Sequence, residues 1–522
     1  MSDAPISARV LRFLGTLMAV LLAWQFAATL LAGSFLFAGP IEILRYLLDN
    51  HAVLGRALLA TVQTAALGYL WGNAVAILLA GLALLLPLSE RPIRILSLVV
   101  FCLPLIATGP ILRVLYGPGI GPQVTLAALS VFYTTLVPLL AGLRAVPRVW
   151  VDMVQSYGRG RWTTLAKVRV LASTPYLIAG LQIAAPAAFL GALIGEFTGA
   201  ERGLGILTLQ AMRRLDTDAT WAIASIAAVT SISVYLVIGK LGRLLWKGAP
   251  TTLLAPPLKA PRRHWLRSVA GVLGLTLMVL LLWQGVMDVF GLNRFFAKRP
   301  DDIWSFLVTG TEAEAHRETL LSALGDTLIT VVPGFFAGLA LGGALAALCT
   351  LMPRMSGVLL PVAITLRAVP IVTTAPLIVL WLGRGPTGVI TIVAIMIFFP
   401  TLIACLHGLK QVPKAVLDVC ESYSAPRWRI LVHARIPAAL PAFFATARIA
   451  VPAAVLAATV AEWLATGQGM GHLMALAAST SDYNMLWSAV VALTLVAVIA
   501  HFAVALAEQV VFARYAPEQL QP

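Results

Sequence analysis

Long apolar runs dominate this sequence and leave few folds open to it. Of its 522 residues, 60% are hydrophobic and 11% are charged, whereas a soluble domain carries roughly 25% charged residues. The runs lie near residues 10–33, 57–87, 93–115, 122–143, 176–197, 220–245, 266–290, 319–351, 357–383, 386–409, 440–463 and 485–512. Because a helix needs about 20 apolar residues to cross a bilayer, the sequence predicts an all-α membrane protein with about twelve transmembrane helices.

The second half of the chain repeats the first at a constant distance of 266 positions. Chance similarity between apolar helices would match leucine and alanine, but these matches are glycine, proline, glutamate, threonine and tryptophan. The matching pairs include Thr61/Thr327, Gly68/Gly334, Gly72/Gly338, Pro104/Pro370, Pro110/Pro376, Gly142/Gly408, Pro147/Pro413, Glu196/Glu462, Gly203/Gly469, Gly205/Gly471 and Trp221/Trp487. We infer two six-helix units, residues 1–247 and 266–522, joined by a cytoplasmic linker at residues 248–265.

An even number of helices lets both units enter the membrane from the same side, so the two repeats run parallel. Basic residues cluster in the linker and in the loops between the fourth and fifth helices, and such clusters favour the cytoplasmic side. Both termini are therefore predicted to be cytoplasmic. This distribution explains the net charge of +15 without nucleic acid as a partner.

The first apolar run follows Arg9 and Arg12 and has some features of a signal peptide. It is long for a signal core, and it has a counterpart at residues 269–287, where no signal peptide could act. We interpret both runs as transmembrane helices.

Two short polar segments interrupt the apolar pattern, one in each basic loop. DMVQSYGRGRW (152–162) and DVCESYSAPRW (418–428) share Asp, Ser, Tyr, Arg and Trp. A loop that only sets topology would not need the shared Asp, Ser, Tyr and Trp. A docking surface for a soluble protein needs an aromatic anchor and an arginine, and two copies suit a partner that is itself a dimer.

Each polar segment is predicted to form a small helix. Asp152 or Asp418 can lie in the first turn, where negative charge suits the helix dipole. Gly158 in one copy, and Ser424–Ala425–Pro426 in the other, are expected to end that helix. A second segment then begins and runs back to the membrane.

With their continuations, the polar segments resemble the coupling-loop signature of bacterial ABC importer permeases: EAA, three residues, Gly, nine residues, Ile, one residue, Leu-Pro. The two copies read DMVQSYGRGRWTTLAKVRVLASTP (152–175) and DVCESYSAPRWRILVHARIPAALP (418–441). Segments 36–47, 295–307, 195–212 and 461–478 resemble those after the first and fifth helices of nitrate/sulfonate/taurine-type permeases. The resemblance covers nearly the whole chain twice, which implies two fused permease units with the type I ABC importer permease fold.

The resemblance also implies partners and a mechanism. A dimer of ABC ATP-binding subunits on the cytoplasmic side binds ATP and Mg, whereas this chain binds no cofactor. When the ATPase dimer closes, the path between the two permease units opens outward. A periplasmic or lipid-tethered binding protein delivers a small solute to this path. The chain is then a multi-pass protein in the lipid of the bacterial inner membrane. The residues expected to contact the ATPase subunits are Asp152, Ser156, Tyr157, Gly158, Arg161, Trp162, Asp418, Ser422, Tyr423, Ser424, Arg427 and Trp428.

The chain departs from the family signature at several positions. The leading Glu is Asp in both copies, and Met153–Val154 and Val419–Cys420 replace the two alanines. Ser424 replaces the glycine that Gly158 retains, and only the second copy fits the closing pair, as Ile436–Pro437. The two loops are therefore expected to dock with unequal strength.

The sequence gives little support to an enzyme. It contains no GxxxxGK[ST] phosphate loop, whose backbone amides and lysine would hold nucleotide phosphates. The four cysteines have no paired spacing, and no metal-ligand cluster or nucleophile–base arrangement is present. We expect a transport subunit without an ATPase site or a metal site of its own.

Ionisable residues at membrane depth are costly and often functional. Arg367 lies in the middle of a predicted helix, and its repeat partner is Phe101. If Arg367 lines the substrate path, it favours an anionic substrate, in line with sulfonate and nitrate transport in the resembled family. The alternatives are that Arg367 forms a structural ion pair between helices, or that it lies at a different depth in the membrane. Glu196 and Glu462, near the outer ends of the fifth helices, are also candidates for the path, although holding the outer loop is the preferred interpretation. Prolines interrupt the third helix of each unit.

Other transporters also fit twelve helices. A gradient-driven transporter of the major facilitator class carries its signature loop after the second helix of each unit, where this chain has only SERPIR (89–94) and MPRMSG (352–357). A fused permease of the ferric-iron or thiamine importer type fits the segments after the first and fifth helices less well. A membrane enzyme is the third alternative.

Overall fold

The computed structural model describes residues 6–30, 38–146, 148–245, 265–353, 355–356, 371–383 and 385–515, and every element assigned there is helical. The first half contains α1 (Ile6–Leu30), α2 (Pro40–Asp49), α3 (His51–Leu85), α4 (Pro87–Cys102), α5 (Leu105–Tyr116), α6 (Gly121–Arg144), α7 (Arg148–Ser156), α8 (Arg161–Thr164), α9 (Val170–Phe197), α10 (Leu204–Arg213) and α11 (Thr217–Leu245). The second half contains α12 (Trp265–Val289), α13 (Pro300–Trp304), α14 (Ala313–Leu351), α15 (Ile371–Leu382), α16 (Pro386–Leu409), α17 (Lys414–Ser422), α18 (Arg427–Ile430), α19 (Ile436–Ala461), α20 (Gly469–Ser479) and α21 (Tyr483–Tyr515). Short π-helical turns occupy Leu165–Arg169, Ser305–Thr309, Leu431–Arg435 and Glu462–Thr466.

Eight helices in the described ranges are long and apolar enough to cross a membrane. They are α3, α6, α9, α11, α14, α16, α19 and α21, and α4 with α5 forms a ninth candidate that is bent by 96°. The predicted span at 357–383 lies partly outside the described residues. The all-α membrane fold is confirmed, whereas the count of twelve spans stays a prediction.

Glycines let the long helices of each half approach closely. A side chain at Gly68 on α3 would place its Cβ 2.3 Å from the Cβ of Ala127 on α6. At the repeat position, a Cβ on Gly334 of α14 would lie 2.7 Å from the Cβ of Val393 on α16. Small residues are typical of such contacts between membrane helices. The repeat in sequence is therefore also a repeat in packing.

The third span of each half packs against the other half, and in the first half both of its segments do so, since α4 also contacts α21. α5 packs against α19, α20 and α21, and α15 packs against α9, α10 and α11. Ile106 and Ala107 of α5 are fully buried in one core with Ala457 and Ala458 of α19. Each half thus places the same element against the same three elements of the other half. This exchange is the arrangement expected of parallel repeats related by an axis along the membrane normal.

The third span of the first half is interrupted at Pro104, as predicted, whereas the helix continues through Pro110, where an interruption was also expected. α4 ends at Cys102, Pro104 is the N-cap of α5, and Pro110 lies inside α5. Proline has no backbone N–H, so the hydrogen-bond ladder of α4 cannot continue through Pro104. In the second half Pro370 lies outside the described residues.

One buried ion pair joins the fifth and sixth spans of the second half. Arg448 on α19 pairs with Glu508 on α21, and their side chains are 6% and 4% exposed. His501 Nδ1 lies 3.0 Å from the carbonyl oxygen of Arg448. The first half has Gln182 and Gly242 at the repeat positions, and Gln182 donates to a backbone carbonyl of α11 at 3.3 Å instead. The two halves therefore use different interactions at the same helix contact.

Replacing one member of this pair should be worse than replacing both. Arg448→Leu leaves Glu508 as an unpaired buried charge, and we expect a loss of about 3–5 kcal/mol. Arg448→Leu combined with Glu508→Leu should recover most of that loss. Thermal unfolding in detergent measures both variants, with Gln182→Leu as the matched control in the first half. Equal melting temperatures for the single and double variants would contradict the assignment.

Candidate functional site

The two polar segments fold as the same unit, which we call the paired turns (residues 148–164 and 414–430). α7 and α17 are nine residues long. Beyond them Gly158 and Ser424 have φ angles of +67° and +51°, in the left-handed region. Their N–H groups donate to the carbonyl oxygens of Gln155 (2.9 Å) and Glu421 (2.8 Å). A left-handed residue closed by such bonds is a common end of a helix, and it lies where the sequence predicts a break.

The aspartates lie further along the helices than the sequence predicts. Asp152 and Asp418 are in the second turns of α7 and α17, and neither first turn contains an acidic residue. The reason is that the helices begin earlier, and Pro413 is the N-cap of α17. Both aspartates are exposed and form no ion pair within the described ranges. Their carboxylates are therefore available to a partner.

The shared serines stabilise the turns themselves. Ser156 Oγ donates to the carbonyl oxygen of Met153, and Ser422 Oγ donates to that of Val419, both at 2.8 Å. The last carbonyls of a helix lack partners within the helix. These local bonds explain the shared serines without a partner molecule.

Each of the paired turns presents an apolar face to the outside. Trp150, Met153 and Tyr157 are 55%, 58% and 73% exposed. At the repeat positions of the second copy, Val416, Val419 and Tyr423 are 44%, 57% and 84% exposed. Residues at i, i+3 and i+7 share one helix face. The sequence prediction included only the tyrosines, and this spacing is the signal that would have found the other four residues.

The tryptophan that follows the helix end in each copy is also exposed. Trp162 is 70% exposed and Trp428 is 55% exposed. The guanidinium of Arg429 lies 5.3 Å from the centroid of the Trp428 ring, within the range of a cation–π contact. Arg427 is exposed, and the side chain of Arg161 lies outside the described residues.

An ion pair ties α6 to α4 just before the first of the paired turns. Glu90 on α4 pairs with Arg94 at 2.6 Å and with Arg144 at the end of α6. Ser356 and Lys410 occupy the repeat positions of Glu90 and Arg144, so this ion pair cannot form in the second half. The paired turns thus share a shape but differ in what supports them.

The two predicted glutamates hold the short helix that follows each fifth span. Glu196 and Glu462 are 1% and 3% exposed. Glu196 Oε2 accepts the N–H of Gly205 at 2.6 Å, and Glu462 Oε2 accepts the N–H of Gly471 at 2.9 Å. A carboxylate at a helix N-terminus is favoured by the helix dipole. This geometry favours the holding role over the lining of a path.

Threonines of the second span complete this arrangement. Thr61 Oγ1 accepts the N–H of Leu204 at 2.9 Å, and Thr327 Oγ1 accepts that of Met470 at 2.8 Å. Thr327 also donates to Glu462 at 2.9 Å. In both halves the short helix is therefore bonded to the second span through threonine and to the fifth span through glutamate, and in the second half a Thr327–Glu462 bond also joins the two spans.

The remaining residues predicted on the substrate path are not brought together in the described ranges. Phe101 packs against the core between the halves, and its ring stacks on Tyr133 with centroids 4.0 Å apart. Arg367 lies outside the described residues. No group of three potential metal ligands occurs in the described part of the chain.

A family comparison agrees with the duplicated geometry. The family described as the inner membrane component of binding-protein-dependent transport systems matches residues 72–247 and 338–515. The chain belongs to this family. Since both halves match, the permease contains two copies of the family unit on one chain.

Curated relatives each match the permease over less than half its length. The probable ABC transporter permease protein of Haemophilus influenzae is 31% identical over 44% of this chain and 90% of its own length. The riboflavin transport system permease protein RibX of Chloroflexus aurantiacus is 28% identical, over 47% and 90%. The taurine transport system permease protein TauC of Escherichia coli is 26% identical, over 43% and 83%. The chain is an ABC importer permease, a multi-pass membrane transport subunit that works with ATP-binding subunits and a substrate-binding protein.

The left-handed positions of the permease provide a matched test of the paired turns. Gly158→Ala should destabilise the protein by about 1 kcal/mol or more, because alanine is strained at a positive φ angle. Ser424→Gly should stabilise it slightly, because glycine adopts that angle without strain. Thermal unfolding measures both. Gly160→Ala is the control, since a Cβ there meets open space and its φ angle is not in the left-handed region. A Gly158→Ala protein as stable as the control would contradict the turn geometry.

Proposed function

We propose that the permease forms the whole membrane path of an ABC importer on a single chain, in a bacterial inner membrane, with both termini cytoplasmic. In this proposal the paired turns dock a dimer of ATP-binding subunits on the cytoplasmic side. The observation that carries the proposal is the duplicated apolar face at residues 150, 153, 157 and 416, 419, 423. Two faces at equivalent positions suit a dimeric partner.

The paired turns have the chemistry of a protein interface. Exposed aromatic side chains beside arginines are typical anchors of such interfaces. Tyr157, Trp162, Tyr423 and Trp428 are the proposed anchors, and Asp152, Asp418, Arg161 and Arg427 are the charged contacts around them. Ser156, Gly158, Ser422 and Ser424 act indirectly, because they shape the turns.

Movement of the docked subunits can reach the far end of the fifth span through continuous helix. α8 continues through the π-helical turn at 165–169 into α9, and α18 continues in the same way into α19. Glu196 and Glu462 lie at or next to the other ends of α9 and α19, where they hold α10 and α20. Displacement of the paired turns would therefore move these short helices. ATP and Mg belong to the ATP-binding subunits, since the sequence contains no phosphate loop.

On the opposite side of the membrane, a periplasmic or lipid-tethered binding protein would deliver the solute. α10 and α20 lie at that end of the bundle, next to the contact between the halves. Phe101 lies in this contact and is proposed to border the path. Glu196 and Glu462 then hold the outer gate in place.

Substitutions on the paired turns test the docking site. Asp418→Arg and Tyr423→Ala should each reduce co-purification with the ATP-binding subunits and lower solute-stimulated ATP hydrolysis about tenfold, the effect of about 1.4 kcal/mol. Asp152→Arg and Tyr157→Ala test the first copy, and the ratio of the two effects measures how unequally the copies dock.

The control is Tyr515→Ala, which removes another exposed tyrosine, 62% exposed, outside the paired turns. It should leave assembly and ATP hydrolysis unchanged. If all four paired-turn variants assemble and hydrolyse ATP like the control, docking occurs elsewhere on the permease.

We further propose that the solute is a small anion such as a sulfonate or nitrate. The taurine relative supports this class, and so does the cationic Arg367 in a predicted span. The riboflavin relative points to a different class. In reconstituted vesicles, an aliphatic sulfonate should be taken up with ATP, and Arg367→Gln should reduce its uptake far more than Arg367→Lys. Uptake of riboflavin instead, unaffected by Arg367→Gln, would reject the anionic substrate.

A further inference from the structure

α2 is a short helix with two apolar faces. Ile43 on one face is buried in a small core with Ala222 and Trp221 of α11. The opposite face carries Ile41, Leu44 and Leu48, which are 59%, 57% and 64% exposed at spacing i, i+3 and i+7. The inner face is explained by packing, whereas the outer face has no cover within the described part of the chain.

The second half repeats this arrangement at a different distance in sequence. Pro300 begins α13 as Pro40 begins α2. Counted from these prolines, Ile303 is buried like Ile43. Trp304 (62% exposed) and Val308 (45% exposed) correspond to Leu44 and Leu48, whereas Asp301 takes the place of Ile41. The sequence of exposed, half-buried and buried residues is identical over 41–49 and 301–309. We call these two stretches the flanking helices.

The same tryptophan contact holds the start of each of the flanking helices. Trp24 Nε1 donates to the carbonyl oxygen of Ala38, and Trp283 Nε1 donates to that of Lys298, both at 3.1 Å. The Trp283 ring also stacks on that of Trp487, with centroids 5.5 Å apart. These contacts fix the first stretch to α1 and α11 and the second to α12 and α21.

The flanking helices lie at the end of the bundle away from the paired turns. Tyr46 and Leu47 pack beside the first turns of α3 and α11. α9, which begins next to the first of the paired turns, is 28 residues long and so extends about 42 Å. α3, which begins directly after α2, also exposes apolar side chains, among them Val53 and Leu59, which are 46% and 70% exposed. α3 is one of the membrane spans.

We propose that the flanking helices lie in the membrane interface, with Leu44, Leu48, Trp304 and Val308 inserted among lipid acyl chains. α2 is followed directly by α3, a candidate membrane span with exposed apolar side chains of its own. Arg45, exposed between Leu44 and Leu48, is placed to contact lipid phosphates, and tryptophan is enriched at this depth. An apolar face beside a basic side chain is typical of helices that lie on a membrane. α2 has both, whereas in the second stretch Ser305 takes the place of Arg45. The flanking helices would then hold the first and sixth spans at a fixed depth.

Spin labelling of the assembled transporter in lipid nanodiscs tests this proposal. Single cysteines replace Leu44, Leu48, Trp304 or Val308 in a protein whose four native cysteines are serine. Labels at these sites should collide several-fold more with oxygen, relative to a water-soluble nickel chelate, than a label at Arg45→Cys. Tyr515→Cys provides a second, exposed control.

Two results would overturn the proposal. One is nickel accessibility at Leu44→Cys and Trp304→Cys equal to that of the controls, which would place both helices in water. The other is high nickel accessibility that disappears only when the substrate-binding protein is added, which would identify the faces as a protein docking site. Because the labelled sites are far from the paired turns, either result leaves the proposed docking of the ATP-binding subunits untouched.

Discussion

Lipid offers no hydrogen bonds, so each polar group inside the membrane must find its partner within the protein. This constraint accounts for an arrangement that both halves share. The first backbone N–H groups of a helix have no partner within that helix. In both halves, Glu196 or Glu462 supplies the missing acceptor for the short helix after the fifth span. In each half one bond gives a partner to a backbone N–H and to one carboxyl oxygen, while Oε1 of Glu196 has no partner in the described part of the structure.

The same constraint explains why the halves can differ without losing their common fold. The contact between the fifth and sixth spans needs a satisfied polar group, but it does not need a particular one. The first half uses Gln182 and a backbone carbonyl, and the second uses Arg448 with Glu508. Close packing is less tolerant, because a Cβ at Gly68 or Gly334 would lie closer to a neighbouring side chain than a normal contact distance. The two halves therefore share glycine at the close helix contact, whereas they differ in the polar interaction between the fifth and sixth spans.

Most of the fold and part of the site could be predicted from the sequence. Apolar runs predict the spans because a bilayer fixes their length, and the shift of 266 residues predicts which positions share an environment. The end of α7, within the first of the paired turns, follows from Gly158. By contrast, the exposed residues Trp150 and Val416 look like any apolar residue until the neighbouring helices are in place.

Other features could not be predicted by aligning the two halves without gaps. The flanking helices repeat from Pro40 to Pro300, six positions out of register with the rest, so the shift of 266 passes over them. The pair of Arg448 and Glu508 has no equivalent in the first half, and only the packing of α19 against α21 brings the two residues together. Repeats predict what the halves share and give no information on what only one half contains.

Fusion of the halves has a genetic consequence. In a permease built from two identical chains, every substitution appears twice, and a charge placed on one side of the path is mirrored on the other. Here a codon changes one side only. The ion pairs of Glu90 and of Arg448, each present in a single half, are products of that freedom. The two sides of the path can then differ, so that the charged head and the tail of one solute can each contact a different surface. A symmetric dimer has two identical sides.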